Sequence, residues 1–115
     1  MVNFSRANRL KTKREFQFVF DQPRKVTHKY FLALFKSSRV EHPKLGIMVN
    51  KRFLKRAVDR NRLKRVIRES FRLYQTELKE LDIIILLRSE CSGLDKKIWR
   101  DDIDKLWQLV IAKKC

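Results

Sequence analysis

Three aspartates close together, Asp101, Asp102 and Asp104, come nearest in this 115-residue chain to a metal-binding cluster, since hard divalent cations take carboxylate oxygens. Lys97, Arg100 and Lys105 surround them, so they read instead as the solvated outer face of a helix. His28, next to a strand, and His42, in a turn, have no Cys or Asp partner at a telling spacing and read as surface or packing residues rather than general bases. Cys91 and Cys115 form no CxxC pair, and the chain holds only two glycines. Neither a zinc site nor a phosphate-cradling loop is expected, and no side chain is assigned to catalysis.

What the residues do offer is positive charge. Between residues 44 and 68 there are ten Lys or Arg and a single acid, an arrangement that repels itself unless an anion compensates. The formal net charge is +16, and residues 1–76, with 21 Lys or Arg against 5 acids, carry all of it; residues 77–115 hold 8 of each. Such asymmetry predicts a polyanion bound on one side of the molecule. Arg60, Arg62, Lys64, Arg65 and Arg68 are the expected phosphate contacts, with Lys51, Arg52, Lys55 and Arg56 extending them along the preceding loop. Asn61 can bond a phosphate, a 2′-hydroxyl or a base edge. The longest apolar runs, six and five residues, are too short to span a bilayer, and the N-terminus lacks an apolar signal region. A cytoplasmic protein without a membrane role is expected.

These cations need an element to carry them. Leu63, Val66, Ile67, Phe71 and Tyr74 recur three and four apart, which at about 100° per residue places them on one face of a helix over roughly 57–75. Asp59 falls at its first turn, where a carboxylate can cap, and Arg65 to Glu69 is an i,i+4 pair. Earlier, residues 1–12 read as a basic arm. Thr12 and Glu15 have capping-box spacing for a short helix whose Phe16, Val19 and Phe20 share a face, ended by Asp21-Gln22-Pro23. Residues 26–36 read as a strand covered on both faces, 45–50 as its antiparallel neighbour, and 81–88 as a buried strand completing a βαβ unit. Ser92 and Asp95 offer a cap for a last amphipathic helix carrying Ile98, Trp99, Ile103, Leu106, Trp107, Val110 and Ile111; its balanced charge marks it as structural. The whole predicts one α+β domain, a sandwich of helices on a mixed sheet.

NKRFLKRAV, then RNR at positions 60–62, then LKRVIRESFR together closely resemble the signature of the bacterial ribonuclease P protein family. RANRLKTKREFQFVF and LDIIILL stand where that family would place them. The resemblance implies a sheet of about four strands, a left-handed βαβ crossover, and a protein that binds the catalytic RNA subunit and the 5′ leader of precursor tRNA. It further implies that Mg²⁺ acts with the RNA subunit and is not bound tightly by the protein alone. Phe16, Phe20, Phe31 and Leu34 match positions lining the family's leader cleft, with only apolar contact implied at Leu34. Read from residues alone, Phe16 and Phe20 are core residues. Other classes fit the charge as well: a ribosomal or chaperone-like RNA-binding protein, a DNA-binding module, or a stand-alone metal nuclease. A monomer is expected for the protein by itself.

Overall fold

The computed structural model describes residues 8–38 and 40–114. Within them the hydrophobic pattern resolves into α1 (Lys13–Phe20), β1 (Arg24–His28), β2 (Phe31–Ser37), β3 (Lys44–Met48), α2 (Ala57–Leu73), β4 (Leu81–Leu87) and α3 (Lys96–Lys114). Residues 1–7 of the expected basic arm, including Arg6, lie outside the described residues, as does Cys115.

Burial decides where each strand sits. β4 reads LDIIILL with six of its seven residues buried, and such a run needs cover on both faces. It takes an interior place in the sheet order β1-β2-β4-β3. It pairs antiparallel with β2, Phe31 opposite Leu87, and parallel with β3, Leu45 opposite Ile83. The expected antiparallel pairing of 26–36 with 45–50 is therefore wrong, because β4 separates the two. β3, with its exposed Met48, suits the edge.

Residues 26–36 also form two strands rather than one. Lys29 adopts φ 52°, so β1 folds back on β2 with His28 opposite Phe31. Positive φ is ordinarily announced by Gly or Asn, and neither stands at this turn. Arg88 pins it from the far side, donating its backbone N–H to the Tyr30 carbonyl at 2.9 Å and Nε to the Lys29 carbonyl at 2.8 Å.

Side chains alternate across the sheet, and this sorts two cores. Phe31, Phe35, Ile83 and Ile85 meet Leu63, Ile67 and Phe71 of α2 and Ile103, Leu106 and Trp107 of α3. Leu34 and Ile84 point the other way, toward Leu10 and Val19. The result is the expected α+β sandwich, with α2 and α3 over one face and α1 over the other.

A buried polar node sets α3 against α2. Ser70 accepts Trp107 Nε1–H at 2.9 Å and donates to Asp104, which also accepts Arg100 Nε–H at 3.2 Å. Asp102 is buried too, its Oδ1 lying 3.4 Å from His28 Nε2 and 3.5 Å from Lys29 Nζ. The three aspartates thus do not share a solvated outer face: only Asp101 is exposed. His28 has an aspartate partner that distance along the chain concealed. Asp95 caps α3 by accepting Ile98 N–H at 3.0 Å, while Ser92 turns to Glu90 instead. Burial pushes the Cys91 thiol up to about 11, which keeps it un-ionised and inert.

α1 is fastened at both ends. The Thr12 hydroxyl accepts Glu15 N–H at 3.1 Å, and Glu15 Oε1 accepts the N–H groups of Lys11 and Thr12, each at 3.0 Å. Glu15 Oε2 lies 3.3 Å from Lys44 Nζ on β3. The Lys11 and Thr12 amides, then Lys44, hold the Glu15 carboxyl down at about 2. At the other end Lys36 Nζ donates to the carbonyls of Phe18 and Asp21, at 3.3 and 2.8 Å, and Gln22 at φ 55° turns the chain into Pro23.

Thr12→Ala removes the cap and should lower stability by about 1 kcal/mol, read as a lower urea midpoint at unchanged slope. Glu15 has a folded pKa below its ordinary 4.5, so its contribution is present above pH 4.5 and is lost as the pH falls toward 2. The stability gap between the native chain and Glu15→Ala should close across that window; a gap constant with pH would contradict this role.

Candidate nucleic-acid interface

α2 exists because one stripe of it, Leu63, Val66, Ile67, Ser70 and Phe71, can be buried. Its start is plain: Arg56 occupies the N-cap without a side-chain hydrogen bond, and Asp59 sits in the first turn facing the positive end of the helix dipole rather than capping it. The arc left over is cationic. Asn61, Arg62 and Arg65 are exposed, and Lys64 and Arg68 are half-buried along one flank. Arg65 Nε lies 3.4 Å from Glu69 Oε1, as the spacing predicts, with its side chain still 82% exposed.

Arg60 departs from expectation. Its Nη1 donates to the carbonyls of Leu54 at 3.0 Å and Lys55 at 2.6 Å, so the guanidinium braces the loop before α2 instead of projecting with Arg65 and Arg68. That loop is anchored by buried Leu54 and by Asn50 Oδ1, which accepts Arg52 N–H at 2.8 Å. Lys51, Arg52, Lys55 and Arg56 are left exposed beside the helix.

The half-buried flank of α2 opens on a cleft. Phe16 from α1 lies over Gly46 of β3 so closely that a Cβ there would stand 2.6 Å from the ring. Arg9 and Lys11 reach the same hollow of about 370 Å³ as Phe16, Gly46, Lys64 and Arg68. The N-terminal segment is held there by Leu10 N–H, which donates to the Leu45 carbonyl at 3.1 Å along the edge of β3. Burial, and then the nearby charge of Arg9, lowers the Arg68 pKa, a sign that its cation is short of both water and counter-charge. A second hollow of about 410 Å³ continues past Lys64 along Ile47, Met48, Val49 and Leu86.

The four candidate leader contacts divide. Phe16 is half-buried and lines the cleft. Phe20 is 38% exposed, so it does not share the core face with Val19 as its spacing suggested. Leu34 is buried below α1. Phe31 is wrong as a cleft residue: it is fully buried in the other core, under α2 and α3, because odd-numbered residues of β2 point there. Gly46 went unnoticed, although a glycine inside a strand is itself a sign of close approach. Among the described residues no three carboxylate, histidine or cysteine side chains are grouped to hold a metal ion, and no helix is long and apolar enough to cross a membrane.

Comparison with known proteins gives one answer. The family model described as Ribonuclease P matches residues 4–110. The ribonuclease P protein component of Pasteurella multocida is 42% identical over 107 residues, covering 93% of this chain and 90% of that one; the Pseudomonas entomophila protein is 41% identical over 113 residues, covering 97% and 85%. Among solved structures, the Staphylococcus aureus RNase P protein superposes with TM-score 0.83 at 25% identity, covering 91% of this chain and 96% of that one. The Thermotoga maritima protein does so with TM-score 0.75 at 30% identity, covering 88% and 96%. With the fold, the cationic helix and the family model in agreement over nearly its whole length, this chain belongs to the ribonuclease P protein family.

Proposed function

We propose that this chain acts as the protein subunit of ribonuclease P, holding the 5′ leader of precursor tRNA while a catalytic RNA subunit hydrolyses the phosphodiester. The observation that carries this reading is the continuity between a cationic helix and a cleft containing an aromatic ring. Lys64 and Arg68 border the hollow beneath which Phe16 rests on Gly46. Unpaired bases stack on aromatic faces without demanding a sequence, and half-desolvated cations meet the phosphates between them. Duplex DNA needs a helix free to enter a major groove, whereas α2 has its cleft flank walled by the N-terminal segment and α1.

The hollow shared by Phe16, Lys64 and Arg68 supports a division of labour. Phe16, Phe20, Lys64 and Arg68 attend the leader, and Leu34 supports them from below. Lys51, Arg52, Lys55, Arg56, Asn61, Arg62 and Arg65 attend structured RNA, with Arg60 shaping their loop. Mg²⁺ belongs in this reading with the RNA subunit, and the protein supplies binding and orientation. The setting is a monomeric protein in the cytoplasm that joins one RNA. A general RNA chaperone would share the charge but would not distinguish a 5′-extended tRNA from a mature one.

Cleavage of precursor tRNA at low Mg²⁺ with RNA subunit alone, protein alone and both together tests the assignment. Both together should far exceed RNA alone, and protein alone should not cut; cleavage by protein alone, or no gain from adding it, would overturn the reading. Phe16→Ala should weaken the holoenzyme for precursor by about 1–3 kcal/mol, the worth of a stacked base, and leave mature tRNA nearly unaffected. Gly46→Ala should act in the same direction by displacing the ring, and equal losses on both tRNAs would mark Phe16 as packing only. Arg68→Ala should weaken precursor binding and flatten its salt dependence by about 0.7 units of log K per log salt.

A further inference from the structure

α3 belongs to the last third of the chain, whose charges cancel, yet its first residue faces the cationic side of α2. Lys96 lines a groove of about 780 Å³ with Asn61, Arg62, Arg65, Arg68 and Glu69. Glu69 is the groove's one acid, and it is paired with Arg65. Among the described residues Arg62 and Lys96 enter no ion pair. The groove therefore has cations on both walls.

The walls are held in register. Asp95 caps the first turn of α3, and the Ser70, Trp107 and Asp104 node fixes the helix against α2. Lys96 thus starts from a fixed backbone position opposite Arg62 and Arg65. Lining chemistry sets this groove apart from the leader cleft: no aromatic residue borders it, so it offers unpaired bases nothing to stack on. Asn61 supplies an amide suited to a 2′-hydroxyl. A phosphodiester backbone laid between the helices would be reached from two sides, which a single helix face cannot do.

We propose that the N-terminal turn of α3 is part of the RNA-binding surface, with Lys96 closing a two-helix groove against Arg62 and Arg65 that holds the sugar-phosphate backbone of the structured RNA subunit. The inference rests on the reading of α2 as an RNA-binding helix and adds a second element to it.

Full-length Lys96→Ala, Lys105→Ala and Arg65→Ala are titrated with the RNA subunit over a series of monovalent salt concentrations, and each holoenzyme is then compared on precursor and mature tRNA. Lys105 is exposed on the same helix but does not line the groove, so it controls for charge alone. Lys96→Ala should weaken binding and flatten the salt dependence by about 0.9 units of log K per log salt, Lys96→Arg should restore both, and Lys105→Ala should change neither. The preference for precursor over mature tRNA should stay as it is in the native holoenzyme. Lys96→Ala behaving like Lys105→Ala while Arg65→Ala flattens the slope would overturn the groove and leave α2 standing. An unchanged slope in Arg65→Ala as well would remove the RNA-binding role of α2 itself, and loss of precursor preference in Lys96→Ala would assign the lysine to the leader instead.

Discussion

Like-charge repulsion along α2 is tolerated only because the opposite side of the helix is deeply rooted. Leu63, Ile67 and Phe71 are essentially inaccessible to solvent, and burial of each such side chain is worth about 1.5–3 kcal/mol. Exposed like charges one helical turn apart oppose one another by only a few tenths of a kcal/mol. Burial wins by a wide margin, so the helix can hold a row of cations, of which Arg65 is paired with Glu69, ready before any partner arrives. Preorganisation of this kind removes part of the ordering cost of binding.

Not all of the positive charge is available for that purpose. Arg24 donates to the carbonyls of Lys113 and Lys114 at the end of α3, and Lys113 and Lys114 in turn reach carbonyls of Lys25, Glu77 and Lys79. Lys36 holds the end of α1, and Arg60 holds the loop before α2. Long cationic side chains here replace the turn-forming glycines that the sequence so largely lacks, tying free carbonyls at helix ends and loops. The net charge of +16 consequently overstates the charge left for the proposed RNA surface on α2 and its two flanks.

Strong periodicity and local capping chemistry were legible from the residues alone. The capping box at Thr12 and Glu15, the extent of α2, the buried character of β4 and the cationic arc all follow from spacing, and the structure has each of them. What escaped depends on contacts between distant parts of the chain. The turn at Lys29 lacks the residues that announce one, and the insertion of β4 beside β2 depends on which apolar run most needs cover. Asp102 meets His28 only after α3 docks on β1, and Phe31 shows its side only once the start of β2 is known. For the cleft, Phe16 was legible by resemblance and Gly46 beneath it carried the sign of a glycine inside a strand, whereas the separate groove that brings Lys96 beside α2 required the packed helices.

β2 and β3 are not paired with each other, because β4 lies between them in the sheet. During synthesis the strand that joins them leaves the ribosome after α2, when residues 1–76 with their whole excess of +16 have already been made. Until then the nascent segment has its hairpin and a helix with no finished core to root it, since the β4 and α3 residues that share a core with Leu63 and Ile67 are still to come. Such a segment carries the whole positive excess while it still lacks the central strand Leu81–Leu87 and α3, whose buried residues complete the core that roots α2.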